Sequence, residues 1–321
     1  MNRPPRSFCL GLALLLCPAV LYGQGFNGPI RILVGGAPGG PSDSTIRLLV
    51  PRLSTAFGQT IVIDNRPGTV GQGGVEQLKS AAPDGRTLML GNSGTHSIIP
   101  SLYRNVRYDP IKDFAPISLI NTTGLVLVAH AQSPVGSFPD LLARARKEPG
   151  KLNIGVAGPT GEVAVEAMMA AAKISLQNIR YKGSSPAEIA VLSNEVGLAL
   201  LTPVATVTHL GAGKLRALGV TTVTRLPLLP AVPTLAESGL DGYSFQFWNG
   251  LFAPAATPHA VIRLLHREVV RAVDAPEIKE RFNALGFVTI ASSPEDLAAT
   301  IRREVASHRK LAAETGIGDR E

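Results

Sequence analysis

The run Gly35-Gly36-Ala37-Pro38-Gly39-Gly40-Pro41-Ser42-Asp43 is equipped to bind an anion and poorly equipped to catalyse. It leaves an apolar strand pattern at Ile30, Ile32, Leu33 and Val34 and enters a helix with apolar Ile46, Leu49 and Val50. Ser42 or Asp43 is the expected helix cap. A glycine turn that opens onto a helix start leaves backbone N–H groups unpaired, with the positive end of the helix dipole behind them. Gly39, Gly40, Ser42 and Asp43 are the candidate binding residues here. The theme recurs after the predicted strand Thr87–Leu90, where Ser93, Gly94, Thr95 and His96 follow, and after Leu152–Val156, where Gly158, Thr160 and Gly161 follow. Trp248 and Phe247 can wall a cleft or pack a core.

Other chemistries fit these residues less well. Gly35 and Gly40 have phosphate-loop spacing, but Pro41 stands where that loop needs a lysine. The turn lacks the G-x-G-x-x-G order of a dinucleotide site, although Asp64 ends the second strand where a ribose partner would. None of His96, His130, His209, His259, His266 and His308 pairs with another at i, i+4, so no metal or other cofactor is expected. No G-x-S-x-G elbow is present, since Ser93 lies one residue out of register. Ser42 and Ser93 therefore read as hydrogen-bond donors. The rival reading is an exported α/β hydrolase using Ser93 or Ser42 with His96. His96 itself can hold a ligand or pin its own loop.

The elements around these loops alternate. Strands at 59–65, 87–90, 152–156, 179–181, 196–201 and 215–221 alternate with helical patterns at 75–82, 138–147 and 162–172. That order predicts parallel-type sheets flanked by helices, with ligands at the carboxyl ends of the strands. The apolar run Leu119–Ala129, broken by Asn121, Thr122, Thr123 and Gly124, reads as a crossing into a second unit, and Ser244–Ala253 as the return. Helices at about 258–273, 276–285 and 294–315 close the chain. The expected organisation is a leader at 1–25, one lobe from 26–124 plus 249–321, and a second from 125–248. Two lobes with two crossings form a hinged clamshell.

Arg3 and Arg6 before the apolar stretch Phe8–Leu21 form a secretory signal pattern, with removal expected near residues 23–25 and a periplasmic destination. Leu16 before Cys17 does not suit a lipoprotein signal. Both cysteines, Cys9 and Cys17, lie in that leader, so the mature chain has no disulfide and no thiolate site. The formal charge of +7 falls to about +5 once Arg3 and Arg6 leave. Its basic residues are scattered among only five Tyr and one Trp, which argues against nucleic-acid binding. No later stretch is long and apolar enough to span a membrane.

An ordered series of short motifs carries a resemblance. It comprises Gly39-Gly40-Pro41-Ser42-Asp43, Asp64-Asn65-Arg66-Pro67-Gly68, Pro83-Asp84-Gly85-Arg86-Thr87-Leu88, Tyr108-Asp109-Pro110, Tyr181-Lys182-Gly183, Gly213-Lys214-Leu215-Arg216-Ala217-Leu218 and Val232-Pro233-Thr234. From about Pro29 to Ile317 the chain closely resembles the Bug family, the TctC-like extracytoplasmic receptors of tripartite tricarboxylate transporters. The resemblance implies a type II-like, two-lobed α/β periplasmic binding protein, each lobe a mixed, mostly parallel sheet flanked by helices. It implies a small organic carboxylate as ligand, permease subunits of such a transporter or a sensor as partner, and a monomeric, non-enzymatic receptor. Carried over by position, the ligand loops are Gly39–Asp43 and Ser93–His96 in the first lobe. In the second they are Gly158–Gly161 and the strand end Leu201–Val204, with Thr202, Pro203 and Val204. Glu162 stands where many relatives have histidine, and Leu201 where receptors for amino acids often have aspartate. Leu201 cannot pair with an ammonium group, so a plain carboxylate is expected.

Overall fold

The structure, a computed structural model, describes residues 26–67, 71–181 and 184–318. The expected leader at 1–25 and the Lys182-Gly183 approach to a helix lie outside the described residues. The chain forms two α/β units. In the first, β1 (Ile30–Val34) pairs in parallel with β2 (Ile61–Asn65) and β3 (Thr87–Asn92). β10 (Phe247–Pro254) returns antiparallel between β3 and β4 (Phe114–Thr123), and β11 (Val288–Thr289) adds an edge, in the order β11-β4-β10-β3-β1-β2. The second sheet has the order β7-β6-β8-β5-β9, from β5 (Val126–His130), β6 (Asn153–Ala157), β7 (Gln177–Tyr181), β8 (Leu198–Leu201) and β9 (Leu215–Val220).

β1 is apolar except at Arg31 because both its faces are covered. Ile30, Ile32 and Val34 enter a core with Ile46, Leu49 and Leu53 of α1 (Pro41–Phe57) and Leu265 and Val269 of α8 (His259–Val273). Leu33 turns to the other face, against Val75 and Leu78 of α2 (Gln72–Lys79) and Leu297 and Ile301 of α10 (Pro294–Thr315). In the second sheet Ile154, Val156, Leu198 and Leu200 face α4 (Phe138–Lys147) and α5 (Gly158–Ala172). Val126, Val128, Ala199 and Leu201 face α6 (Ser184–Leu192).

Two features bind the units together. A π-helical turn, Gly94–Ile98, leads into the short α3 (Ile99–Leu102), and Ile98 and Leu102 enter the apolar core of the second unit. α10 begins in the first unit's core with Leu297, Ile301 and Val305 and reaches the second unit's with Ala312.

Several element ends differ from expectation. α5 starts at Gly158 rather than Glu162, because Pro159 fits the first turn of a helix. A helix α7 (Pro203–Gly211) begins where a bare strand end was expected, again with a proline at its start. β4 starts at Phe114, before the expected run, and β11 was unforeseen. Neither Ser42 nor Asp43 caps α1. Gly40 does, in an extended conformation (φ −72°, ψ 172°), because Pro41 takes the first helical position, where its missing N–H costs nothing.

Candidate functional site

The start of α1 is held by Asp43, two turns of chain folded onto one carboxylate. Its Oδ2 accepts from the Gly39 N–H at 2.8 Å and from Arg47 Nε at 2.7 Å, and its Oδ1 accepts from Asn65 Nδ2 at 3.0 Å. Burial pushes the Asp43 carboxyl upward, but the Arg47 guanidinium, the Gly39 N–H and the Asn65 amide outweigh it and hold it below the ordinary range. Asp43 is therefore an ionised anchor with its oxygens engaged, not a base awaiting a proton. Asp64, at the position of a ribose partner, is instead ion-paired with Arg31 and Arg66.

Ser42 is buried in a polar cluster that joins four segments. Its Oγ donates to Asn249 Oδ1 at 2.7 Å and accepts from Asn92 Nδ2 at 3.2 Å. Asn249 Nδ2 donates to Asn121 Oδ1 at 2.9 Å, and Asn121 Nδ2 donates to Thr45 Oγ1 at 3.1 Å. The network fixes the α1 start to the ends of β3, β4 and β10, and such satisfied buried networks are rigid. Sequence reading missed Asn92, Asn249 and Thr45 and passed over Asn121. The available signal was an asparagine inside each of two largely apolar strands.

The second loop is built on a buried histidine. His96 stacks on Phe252 with ring centroids 4.0 Å apart, and its Nδ1 lies 2.9 Å from Thr95 Oγ1. Thr95 Oγ1 also donates to the Asn92 carbonyl and accepts from the Asn92 N–H. The Thr95 contact is a hydrogen bond in either ring tautomer, and Nε2 is buried without a protein partner. Burial pushes His96 down to about 3, so the ring is neutral. The Tyr108 hydroxyl donates to the Thr95 carbonyl at 2.6 Å. Of the two roles open to His96, this geometry is that of a loop pin. No hydrogen bond joins His96 to Ser42 or Ser93, so the Ser–His pair a hydrolase needs is missing from these described residues.

The loops of the two units meet. A Cβ placed on Gly94 would lie 3.6 Å from Thr160 Oγ1, at the N-terminal turn of α5, and 3.0 Å from Asn92 Oδ1. Contacts therefore run from Ser42 through Asn92 and Gly94 to Thr160, joining helix starts from opposed units. Gly71, with φ +85°, lets the chain before α2 press on this cluster, since a Cβ there would sit 2.9 Å from the Gly35 carbonyl oxygen and 3.1 Å from Thr95 Cγ2. Gly158 and Gly161 lie in the α5 start beside Thr160. Thr202 is the extended cap of α7, Val204 is exposed, and Pro203 packs against Gly286 of the first unit. Trp248 is buried and donates through Nε1 to Glu304 at 2.8 Å, so it packs the core and does not wall a cleft. Among the described residues no group of three His, Cys, Asp or Glu could hold a metal ion.

Residues 45–317 match the family profile described as TctC, the tripartite tricarboxylate transporter family receptor. The chain belongs to the TctC receptor family. It is 33% identical over 320 residues to a UPF0065 protein in the tcbD-tcbE intergenic region of Pseudomonas sp. strain P51, covering 98% of this chain and 95% of that one. It is 30% identical to BugT of Bordetella pertussis, covering 90% and 89%. Among solved structures, R. palustris Rpa4515 with adipate matches with a TM-score of 0.80 at 31% identity, over 92% of this chain and 99% of that one. MatC from Rhodopseudomonas palustris with bound malate matches with a TM-score of 0.76 at 29% identity, over 89% and 99%. TctC receptors are periplasmic solute-binding proteins, and this one is a receptor rather than an enzyme; the hydrolase reading is not supported.

Proposed function

We propose that this TctC receptor captures a small organic carboxylate between its two units, with the lobes as 26–124 plus 249–321 and 125–248. The carrying observation is the approach of Gly94 and Thr160, which sets the π-helical turn of one unit against the helix start of the other. Backbone N–H groups at Ser42, at Gly94 and at Thr160–Gly161 supply donors, with Gly39, Gly40 and Thr95 holding the loops in shape through their own N–H bonds, and the Val204 N–H at the α7 start completes the set. Hydrogen bonds to a charged acceptor contribute about 1.5–3 kcal/mol each, so a few fixed donors suffice for tight capture. Asp43, Asn92 and His96 position these loops rather than touch the guest. The chain is exported, loses its leader near residues 23–25, works as a monomer, and delivers its acid to permease subunits or a sensor.

Leu201 is buried and apolar at the end of β8, which disfavours the ammonium of an amino acid. Thermal melting of the mature protein against a panel of carboxylates tests the reading, because a ligand that binds only the folded state raises the melting temperature by mass action. Adipate and malate are the first probes, and at least one mono- or dicarboxylate is expected to shift the transition. A panel without any shift, or a response confined to aspartate and glutamate, would refute it.

A further inference from the structure

α10 closes a second cavity, of about 360 Å³, lined by none of residues 39–43, 158–161 or 202–204. Its polar wall includes Ser93 at the π-helical turn, Ser244 and Gln246 from the connection between β9 and β10, and Arg303, Glu304, Ser307 and His308 from α10. Two buried atoms in this wall lack any protein partner, Ser93 Oγ and His308 Nδ1, and Ser93 is only 1% exposed. Buried polar groups are normally bonded, so each orphan points to something the site is built to receive.

The protonation of the wall follows from hydrogen-bond counting. Ser97 Oγ lies 2.7 Å from the Ser93 carbonyl oxygen and 2.8 Å from Glu304 Oε2. A hydroxyl carries one proton, so both contacts are satisfied only when Glu304 supplies the second. Burial pushes the Glu304 carboxyl up, against the smaller opposing pull of Trp248, Ser97 and Arg303. The one acid of the wall is thus shifted toward its neutral form and repels an anion less than an exposed carboxylate would. His308 is hydrogen-bonded to the Ser97 backbone, and burial takes it down to about 4. A neutral imidazole that donates to a carbonyl from one nitrogen offers its other nitrogen as an acceptor.

We propose that this cavity is a second ligand site for a small oxyanion that still carries a proton, accepting from Ser93 Oγ and Arg303 and donating its own O–H to His308 Nδ1. An anion with no proton meets the His308 lone pair and is disfavoured, whereas hydrogen phosphate satisfies donors and acceptor together. The space left over holds ordered water. Because its walls come from the ligand-loop turn, the inter-unit connection and the helix that enters both cores, occupancy of the cavity bears on how the units sit.

The test is calorimetric titration of the mature protein with inorganic phosphate and, separately, with sulfate, at pH 7 and fixed ionic strength. Saturable one-to-one phosphate binding is expected, with sulfate at least about tenfold weaker, the worth of one hydrogen bond to a charged group. His308→Ala should bring phosphate down to the sulfate level, and Arg303→Gln, on the exposed face of α10, should weaken both. Absence of saturable phosphate binding, equal affinity for the two anions, or indifference to Arg303→Gln would each overturn the proposal, the cavity then holding water alone or phosphate binding elsewhere.

Discussion

His96 is chemically the most versatile side chain near the site, and the fold spends it on position. Its ring lies flat on Phe252, bonded at Nδ1 to Thr95 and closed off from solvent, so protonation in the folded state is pushed down to about 3. The unfolded chain protonates the same ring near 6.5. Below that pH the unfolded state binds a proton that the folded state refuses, so stability is full above 6.5 and falls as the pH drops toward 3. His308, down to about 4, adds to the same trend. Urea unfolding should show a loss of about 1.4 kcal/mol from His96 alone between pH 7.5 and 5.5. His96→Phe keeps the ring stack and forfeits the Thr95 bond, which lowers stability at pH 7.5 but less so at pH 5.5, because the variant has no ring to protonate and the difference between the two pH values shrinks. An unchanged difference in His96→Phe would show that the ring is accessible to protons.

At the level of elements, His96 can lie where it does because the strand beneath it has no side chain. A Cβ on Gly91 of β3 would come 2.5 Å from His96 Nδ1 and 2.9 Å from Phe252 Cε2. Gly91 also sits opposite Gly250 across the β3–β10 pair, where another Cβ would press on Leu297 at 3.0 Å. Gly91→Ala should therefore cost about 1–3 kcal/mol by overpacking, read as a lower urea midpoint, together with weaker carboxylate binding as the loop is displaced. A variant with the wild-type midpoint would mean that the aromatic stack yields freely. This dependence was invisible in the sequence, because Phe252 reaches Gly91 only through the pairing of β10 with β3. The strand–glycine turn–helix units were legible because their signals are local: apolar runs, turn residues and prolines within a few positions. The Ser42–Asn92–Asn249–Asn121–Thr45 network was not, since it joins residues up to 207 positions apart. Yet a trace of such pairing exists wherever a polar residue interrupts an apolar pattern. On α10, Glu304 and His308 continue the stripe Leu297, Ile301, Leu311 at helical spacing, and both prove to be largely buried.

For the whole molecule, capture depends on how closely two units can approach, and one position reports on that approach more directly than the rest. Gly94 lies in the π-helical turn of the first unit, with Thr160 of the second 3.6 Å beyond the point where its Cβ would sit. Its backbone needs no positive φ, so a side chain there is resisted by what lies across the gap and by Asn92 Oδ1 at 3.0 Å, not by local strain. Gly94→Val fills the gap with a stiff, branched group. If binding requires the two units to meet here, keeping them apart forfeits the second unit's donors, and each about 1.4 kcal/mol lost is a tenfold loss of affinity. The expected result is carboxylate binding at least about tenfold weaker than wild type, with the ligand-free melting temperature much less affected. Small-angle X-ray scattering gives the independent readout: ligand should shrink the radius of gyration of the wild type and leave that of Gly94→Val unchanged. Wild-type affinity in Gly94→Val would mean that the carboxylate is held by one unit alone, and that the facing helix starts have another purpose.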